Sequence, residues 1–182
     1  MANKTSMRIL LAAIITLLLP YTRLIAQSIY TCGFSDIGGK SVSLQPYAGK
    51  KVLLIIVSPA NADTLAAEIH KFQQQYSSAV QVIGILSAED GVREADIPHV
   101  RQSFSGTDIT LTGIQHTHKG SNQSSLLQWL TNRKQNGHFD RDVTSPGQKF
   151  FVSENGKLYA VIGPEKHLDA PLIAKIVKAN VN

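Results

Sequence analysis

Cys32 is the only cysteine among 182 residues, and it stands in the run Cys32-Gly33-Phe34-Ser35. A thiol can attack a peroxide directly once it ionises, because the thiolate is the nucleophile. A single cysteine cannot close a disulfide within its own chain, so a Cys-x-x-Cys redox pair and a cysteine-rich zinc site are both excluded. Three uses remain for Cys32. It is a small, half-buried residue of a first strand, as free cysteines usually are, or a peroxide-reducing nucleophile, or half of an intermolecular disulfide.

His116 and His118 flank Thr117. On an extended segment both imidazoles point to one side, and two such groups can seed a metal site. No cysteine or carboxylate cluster accompanies them in sequence, so they read as a solvated pair on a surface loop. No metal and no cofactor is expected. Asp63, Glu68 and Glu89 are carboxylates with no histidine placed beside them, which leaves a Ser-His-acid hydrolase unsupported. His70 reads as a rim residue of a helix and Trp129 as a core or interface aromatic. Asn122-Gln123-Ser124 is formally a glycosylation sequon, of consequence only in a eukaryotic secretory pathway.

The elements that must position these groups alternate between strand and helix. Residues 28–34 suggest a short strand and residues 40–44 a second, with the Gly38-Gly39 turn between them. Val52, Leu53, Leu54, Ile55, Ile56 and Val57 form an unbroken apolar run, the signature of a strand buried on both faces of a parallel sheet. A helix follows, with Asp63 as its expected N-cap and Leu65, Ile69, Phe72 and Tyr76 as its inner stripe. Residues 80–86 predict a second buried strand, completing a βαβ unit.

The segment 87–125 is polar and hard to read; a short helix within residues 92–104 and a strand over 109–114 are expected. Helical spacing returns over 125–133. Lys149-Phe150-Phe151-Val152 and residues 158–162 predict a hairpin through Glu154-Asn155-Gly156. Pro171 opens a closing helix with Leu172, Ile173, Ile176 and Val177 as its inner stripe. The order argues for an α/β fold.

The first 26 residues read as a secretory signal peptide. Lys4 and Arg8 precede an apolar run over 9–19, Pro20 breaks it, and Ala26 offers a cleavage point before Gln27. The apolar run is shorter than the roughly 20 residues that span a bilayer, although residues 21–26 can extend it into an uncleaved anchor. The expectation is a mature domain over residues 27–182, periplasmic or secreted, with no membrane association after cleavage. The formal net charge of +5 includes Lys4, Arg8 and Arg23, which leave with the leader while no acid does, so +2 remains. That balance, with no dense Lys/Arg tract, gives no reason to expect a nucleic-acid partner.

Residues 126–156 resemble the second half of the glutathione peroxidase family. Trp129-Leu130, Asn136-Gly137 and Lys149-Phe150-Phe151-Val152 carry the likeness, and the early segments 39–44 and 49–54 look like that family's opening. The likeness runs from about Phe34 to the C-terminus and is patchy over 87–117. It implies a thioredoxin-like fold with a central mixed sheet flanked by helices. It also implies a Cys or selenocysteine after the first buried strand, with Gln, Trp and Asn around it. In this chain the nucleophile position falls on Ala60 or Asn61, the Gln position on Glu89, and the Trp and Asn positions on Ser145 and Pro146. None of these side chains reduces a peroxide. The expectation is an exported, catalytically silent relative that keeps a binding or scaffolding role toward a protein or small-molecule partner. The alternative is a thiol peroxidase, serving oxidative-stress defence, with Cys32 as a relocated nucleophile. Cys32-Gly33-Phe34-Ser35 resembles the family's nucleophile motif locally but precedes the buried strand instead of following it.

Overall fold

The computed structural model describes residues 27–181; the expected signal peptide and its cleavage point lie outside them. Seven strands and five α-helices follow in order: β1 (Gly33–Ser35), β2 (Ser41–Ser43), β3 (Lys51–Val57), α1 (Ala62–Tyr76), β4 (Val80–Ser87), α2 (Ile97–Ser103), β5 (Ile109–Gln115), α3 (Ser125–Thr131), α4 (Arg133–Asn136), β6 (Lys149–Val152), β7 (Leu158–Ile162) and α5 (Pro171–Lys178). β3 to β7 form one mixed sheet in the order β5-β4-β3-β6-β7. β3 and β4, and β4 and β5, run parallel, whereas β6 is antiparallel to both β3 and β7. β1 and β2 make a separate small hairpin.

The unbroken apolar run of β3 is the physical centre. Every residue from Lys51 to Val57 is buried, and alternate side chains serve two cores. Leu53, Ile55 and Val57 pack with α1, α2 and α5 on one face. Val52, Leu54 and Ile56 pack with α3 and the β1–β2 hairpin on the other. Full burial of each large aliphatic contributes about 2 kcal/mol, so a strand that fills two cores fixes the fold more than any edge element can.

Several expectations are refined by local hydrogen bonding. Residues 28–34 are not one strand: the Ser28 side chain accepts from Tyr30 N and starts a 3₁₀ turn, Ile29–Thr31, before β1. Asp63 is not the cap of α1. Pro59 opens a 3₁₀ turn, Pro59–Asn61, which brings the chain into the helix early; Asn61 is the N-cap residue and Asp63 lies in the first turn. The inner stripe of α5 is narrower than expected, since Ile173 and Val177 are buried while Leu172 remains 42% exposed. The helix within 92–104 is shorter, Ile97–Ser103, with a 3₁₀ turn, Glu94–Asp96, ahead of it. The hairpin β6–β7 and the Pro171 helix start stand as the sequence reads.

Candidate functional site

In open α/β sheets, ligand sites lie beyond the carboxyl ends of the parallel strands. Here that edge is made by residues 58–61 after β3, 87–92 after β4 and 115–119 after β5. The antiparallel partner β6 brings residues 145–148 to the same end, because Ile56 N donates to Gln148 O and Gly147 N to Ile56 O.

Residues 58–61 form a closed box. Ser58 N donates to Asn61 Oδ1 at 2.9 Å, and the Ser58 hydroxyl lies 3.4 Å from the same oxygen. Ala60 is exposed and Asn61 half-buried. The helix begins one residue later at Ala62, so Ala60 and Asn61 occupy the lead-in to α1, where free N–H groups and the helix dipole would steady an anion. No sulfur stands there.

The turn at Ser145-Pro146-Gly147 meets this box: a β-carbon on Gly147 would come within 3.9 Å of Asn61 Nδ2. Gly147 has φ of +86°, a left-handed conformation open to glycine. No peptide bond among the described residues is cis, so Ser145–Pro146 is trans. The turn satisfies its own backbone. Gln148 is buried, its Oε1 accepts from Thr144 N at 2.7 Å and from the Thr144 hydroxyl at 3.0 Å, and its N–H donates to Ser145 O. Those groups are not offered to a visiting strand.

Glu89 does something the sequence did not disclose. Its Oε2 accepts from Thr117 N at 2.8 Å and from the Thr117 hydroxyl at 3.0 Å, and its Oε1 lies 3.2 Å from His116 Nδ1. Burial alone would raise this carboxyl. The backbone amides of Thr117 and of Glu89 itself, His116 and the Thr117 hydroxyl outweigh it and bring it down to about 2. Ser87 completes the link, its hydroxyl lying 3.0 Å from the Thr117 hydroxyl. Thr117 is fully buried while His116 and His118 are exposed. The His pair therefore sits on a surface loop as expected, but a carboxylate distant in sequence clamps the first of the two.

The carboxylates are thus not free of histidine partners. Glu68 Oε1 lies 2.6 Å from His167 Nδ1, and its Oε2 accepts from Leu168 N. Asp63 instead accepts from the Ser103 hydroxyl. No histidine hydrogen-bonds a serine hydroxyl among the described residues, so no Ser-His-acid triad forms. Nor do three His, Cys, Asp or Glu side chains gather around one ion position among the described residues. His70 is exposed on α1, with Nδ1 3.1 Å from Gly106 O.

Cys32 is elsewhere. It packs in the core between the sheet and α3, on the face opposite α1, with only 6% of its surface exposed. Its Sγ lies 3.8 Å from Ser125 O. Burial pushes its thiol up, against a smaller lowering by Thr31. Burial among the apolar side chains of this core favours the inert thiol. Trp129 belongs to the same core, fully buried, with Nε1 donating to Gln27 O.

Lys149 was missed as a site residue. It is 2% exposed on the α1 face of β6, and its Nζ donates to Gly147 O at 2.8 Å, directly beneath the turn. Burial lowers its pKa, and Glu68 and Glu165 partly restore it. The strand alternation carried the signal, since Lys149 must share a face with buried Phe151.

Solved structures of similar shape agree on the architecture. The protein Trgpx in apo form superposes with a TM-score of 0.59 at 17% identity, covering 85% of this chain and 98% of that one. T. cruzi GPX1 gives 0.56 at 11%, covering 83% and 97%. The pneumococcal exposed lipoprotein thioredoxin Etrx1 of Streptococcus pneumoniae gives 0.54 at 18%, covering 81% and 98%. The fold is thioredoxin-like. No family model matches the sequence, and no curated protein matches it significantly. Among the described residues no helix is long and apolar enough to cross a membrane.

Proposed function

We propose that this chain is an exported relative of the glutathione peroxidases that has lost peroxide chemistry and works by binding, through the surface around Pro59 to Asp63, Glu89 and Ser145 to Gln148. One observation carries the reading. Ala60 and Asn61, the positions that the resemblance assigns to the nucleophile, lead into α1 without a thiol, while the only cysteine lies buried on the opposite face of the sheet. The other family positions are filled by groups with fixed structural partners. Glu89 is held by Thr117 and His116, and the turn at Ser145 and Pro146 is braced by Gln148 and Lys149. Loops at the carboxyl ends of β3 and β4 that are already tied by their own hydrogen bonds suit a docking surface, because less ordering is left to oppose association.

The test is turnover of hydrogen peroxide with a thiol reductant, on the wild type and on Cys32→Ser. Equal rates at the level of buffer support the reading. Turnover well above buffer that disappears in Cys32→Ser removes it and installs the relocated-nucleophile alternative. For the binding surface, Ala60→Arg places a bulky charge on an exposed position outside the core. Pull-down from the source organism's exported proteins should lose its specific partner with this variant and keep it with a distant surface control such as Lys178→Glu.

A further inference from the structure

The chain contains two Asn-Gly pairs, Asn136-Gly137 and Asn155-Gly156. The chemistry of this dipeptide is general. The glycine amide nitrogen can attack the asparagine side-chain carbonyl, because no glycine side chain obstructs the approach. The structure treats the two pairs in opposite ways.

Asn136 is locked. It is 2% exposed. Its Nδ2 donates to Trp129 O, Leu130 O and Phe139 O at 2.7, 3.1 and 3.0 Å. Its Oδ1 accepts from His138 N and Phe139 N at 2.7 and 2.8 Å. Gly137 N is committed to Arg133 O at 2.8 Å as the helix cap. Five bonds on the side chain and one on the nucleophilic nitrogen must break before the two can meet.

Asn155 is free by comparison. It is exposed at the tip of the β6–β7 hairpin, and no hydrogen bond of its side chain is formed among the described residues. Gly156 itself is buried, and its nitrogen is restrained by one hydrogen bond, to Ser153 O at 2.9 Å. Opening this tip releases the bonds from Ile29 N to Gly156 O, from Gly49 N to Glu154 O and from the Tyr30 hydroxyl to Glu154 O but leaves both cores packed, whereas opening the buried cap at Asn136 disturbs a core.

We infer that Asn155 is a site of spontaneous deamidation, and that Asn136 is protected from it. Solvent base takes the Gly156 N–H proton, and the nitrogen forms a bond to Asn155 Cγ. The bond from Cγ to the side-chain nitrogen Nδ2 then breaks, Nδ2 takes a proton from water and departs as ammonia, and a five-membered imide is left. Water then adds to one of the two imide carbonyls. Addition at Cγ breaks its bond to Gly156 N and restores the main chain with aspartate at 155; addition at the main-chain carbonyl breaks that carbon's bond to Gly156 N and gives isoaspartate, with one extra methylene in the backbone. No oxidant or cofactor is needed.

The consequence is local and defined. Gly156 O accepts from Ile29 N at 3.1 Å, and Gly156 packs so closely on Ser28 and Tyr30 that a β-carbon there would collide with both. Lengthening the backbone at 155 shifts this contact and loosens the turn Ile29–Thr31.

The experiment ages the full chain at body temperature in mildly alkaline buffer made with heavy-oxygen water, followed by digestion and peptide mass spectrometry. The Asn155 peptide should gain the mass of an amide-to-acid exchange with one heavy oxygen, faster as pH rises, and split into two isomers on chromatography. The Asn136 peptide should stay unchanged, and Asn155→Gln should abolish the reaction. An unchanged Asn155 peptide, while a synthetic peptide of residues 153–158 converts in the same buffer, overturns the inference; so does equal conversion at Asn136. Amide hydrogen exchange at Ile29 should quicken in the converted fraction, and exchange as slow as in fresh protein would overturn the loosened-turn consequence.

Discussion

Two lysines are buried on the same face of the sheet, at opposite ends, and they are treated differently. Lys51 begins β3. Its Nζ donates to Val177 O and Ala179 O, each at 2.6 Å, and lies 3.5 Å from Glu154 Oε1. Two carbonyls accept its hydrogen bonds and a carboxylate balances its charge, and the ammonium closes the carboxyl end of α5, where the helix dipole favours a cation. Lys149 begins β6 at the other end. It has one hydrogen-bond acceptor, Gly147 O, and no carboxylate within ion-pair distance among the described residues. The first lysine is a structural joint. The second is a poorly compensated charge kept beneath the turn of the candidate site, and burying an under-partnered ion costs stability.

The comparison breaks or sharpens in a definite order. Lys51→Met leaves two helix-end carbonyls and Glu154 without their cation, so it should lower unfolding stability by about 3 kcal/mol, read from urea melts. Lys149→Met should do the reverse, leaving stability unchanged or raising it by about 1 kcal/mol. An equal loss in both variants would erase the distinction drawn here.

Glu89→Gln loosens the Thr117 and His116 clamp and should cost about 1 kcal/mol, a modest figure because part of the carboxylate meets solvent. Its sign with pH is fixed: the folded carboxyl, at about 2, lies below the usual value near 4.3. The clamp's stabilisation is therefore full above that usual value and fades as pH falls toward 2. The wild type should lose stability over that acid window more steeply than Glu89→Gln.

The smallest effect is alkaline. Because the Lys149 ammonium is depressed in the folded protein, the unfolded chain binds more protons between the folded value and about 10.4, so this residue makes stability rise with pH across that window. Lys149→Met should flatten that rise in a series of melts.

Most of the fold was legible because its main signals are local. The apolar run of β3, the stripe of α1 and the turn residues of the β6–β7 hairpin act through neighbours in sequence. Elements failed to read where a side chain redirected the backbone: Ser28 starting a 3₁₀ turn and Pro59 with Asn61 bringing the chain early into α1. The candidate site was half legible. The absence of a thiol at Ala60 and Asn61 is a statement about residue types and needed only the sequence. The Glu89 clamp joins residues 28 positions apart, and no local pattern announces a bond across two strand ends.

By itself the sequence determined that the chain has one sulfhydryl, a strand buried on both faces, an α/β order of elements and no thiol after β3. Composition and short-range periodicity decide such things, because backbone geometry makes them repeat every two or every 3.6 residues. Only the tertiary structure decided that Cys32 faces the core away from α1, that His116 leans on Glu89, that Lys51 meets a carboxylate and Lys149 does not, and that one Asn-Gly pair is locked while the other has a free side chain. These depend on which distant groups share a cavity or a surface. Burial and hydrogen-bond geometry set that, and both exist only once the chain has closed on itself.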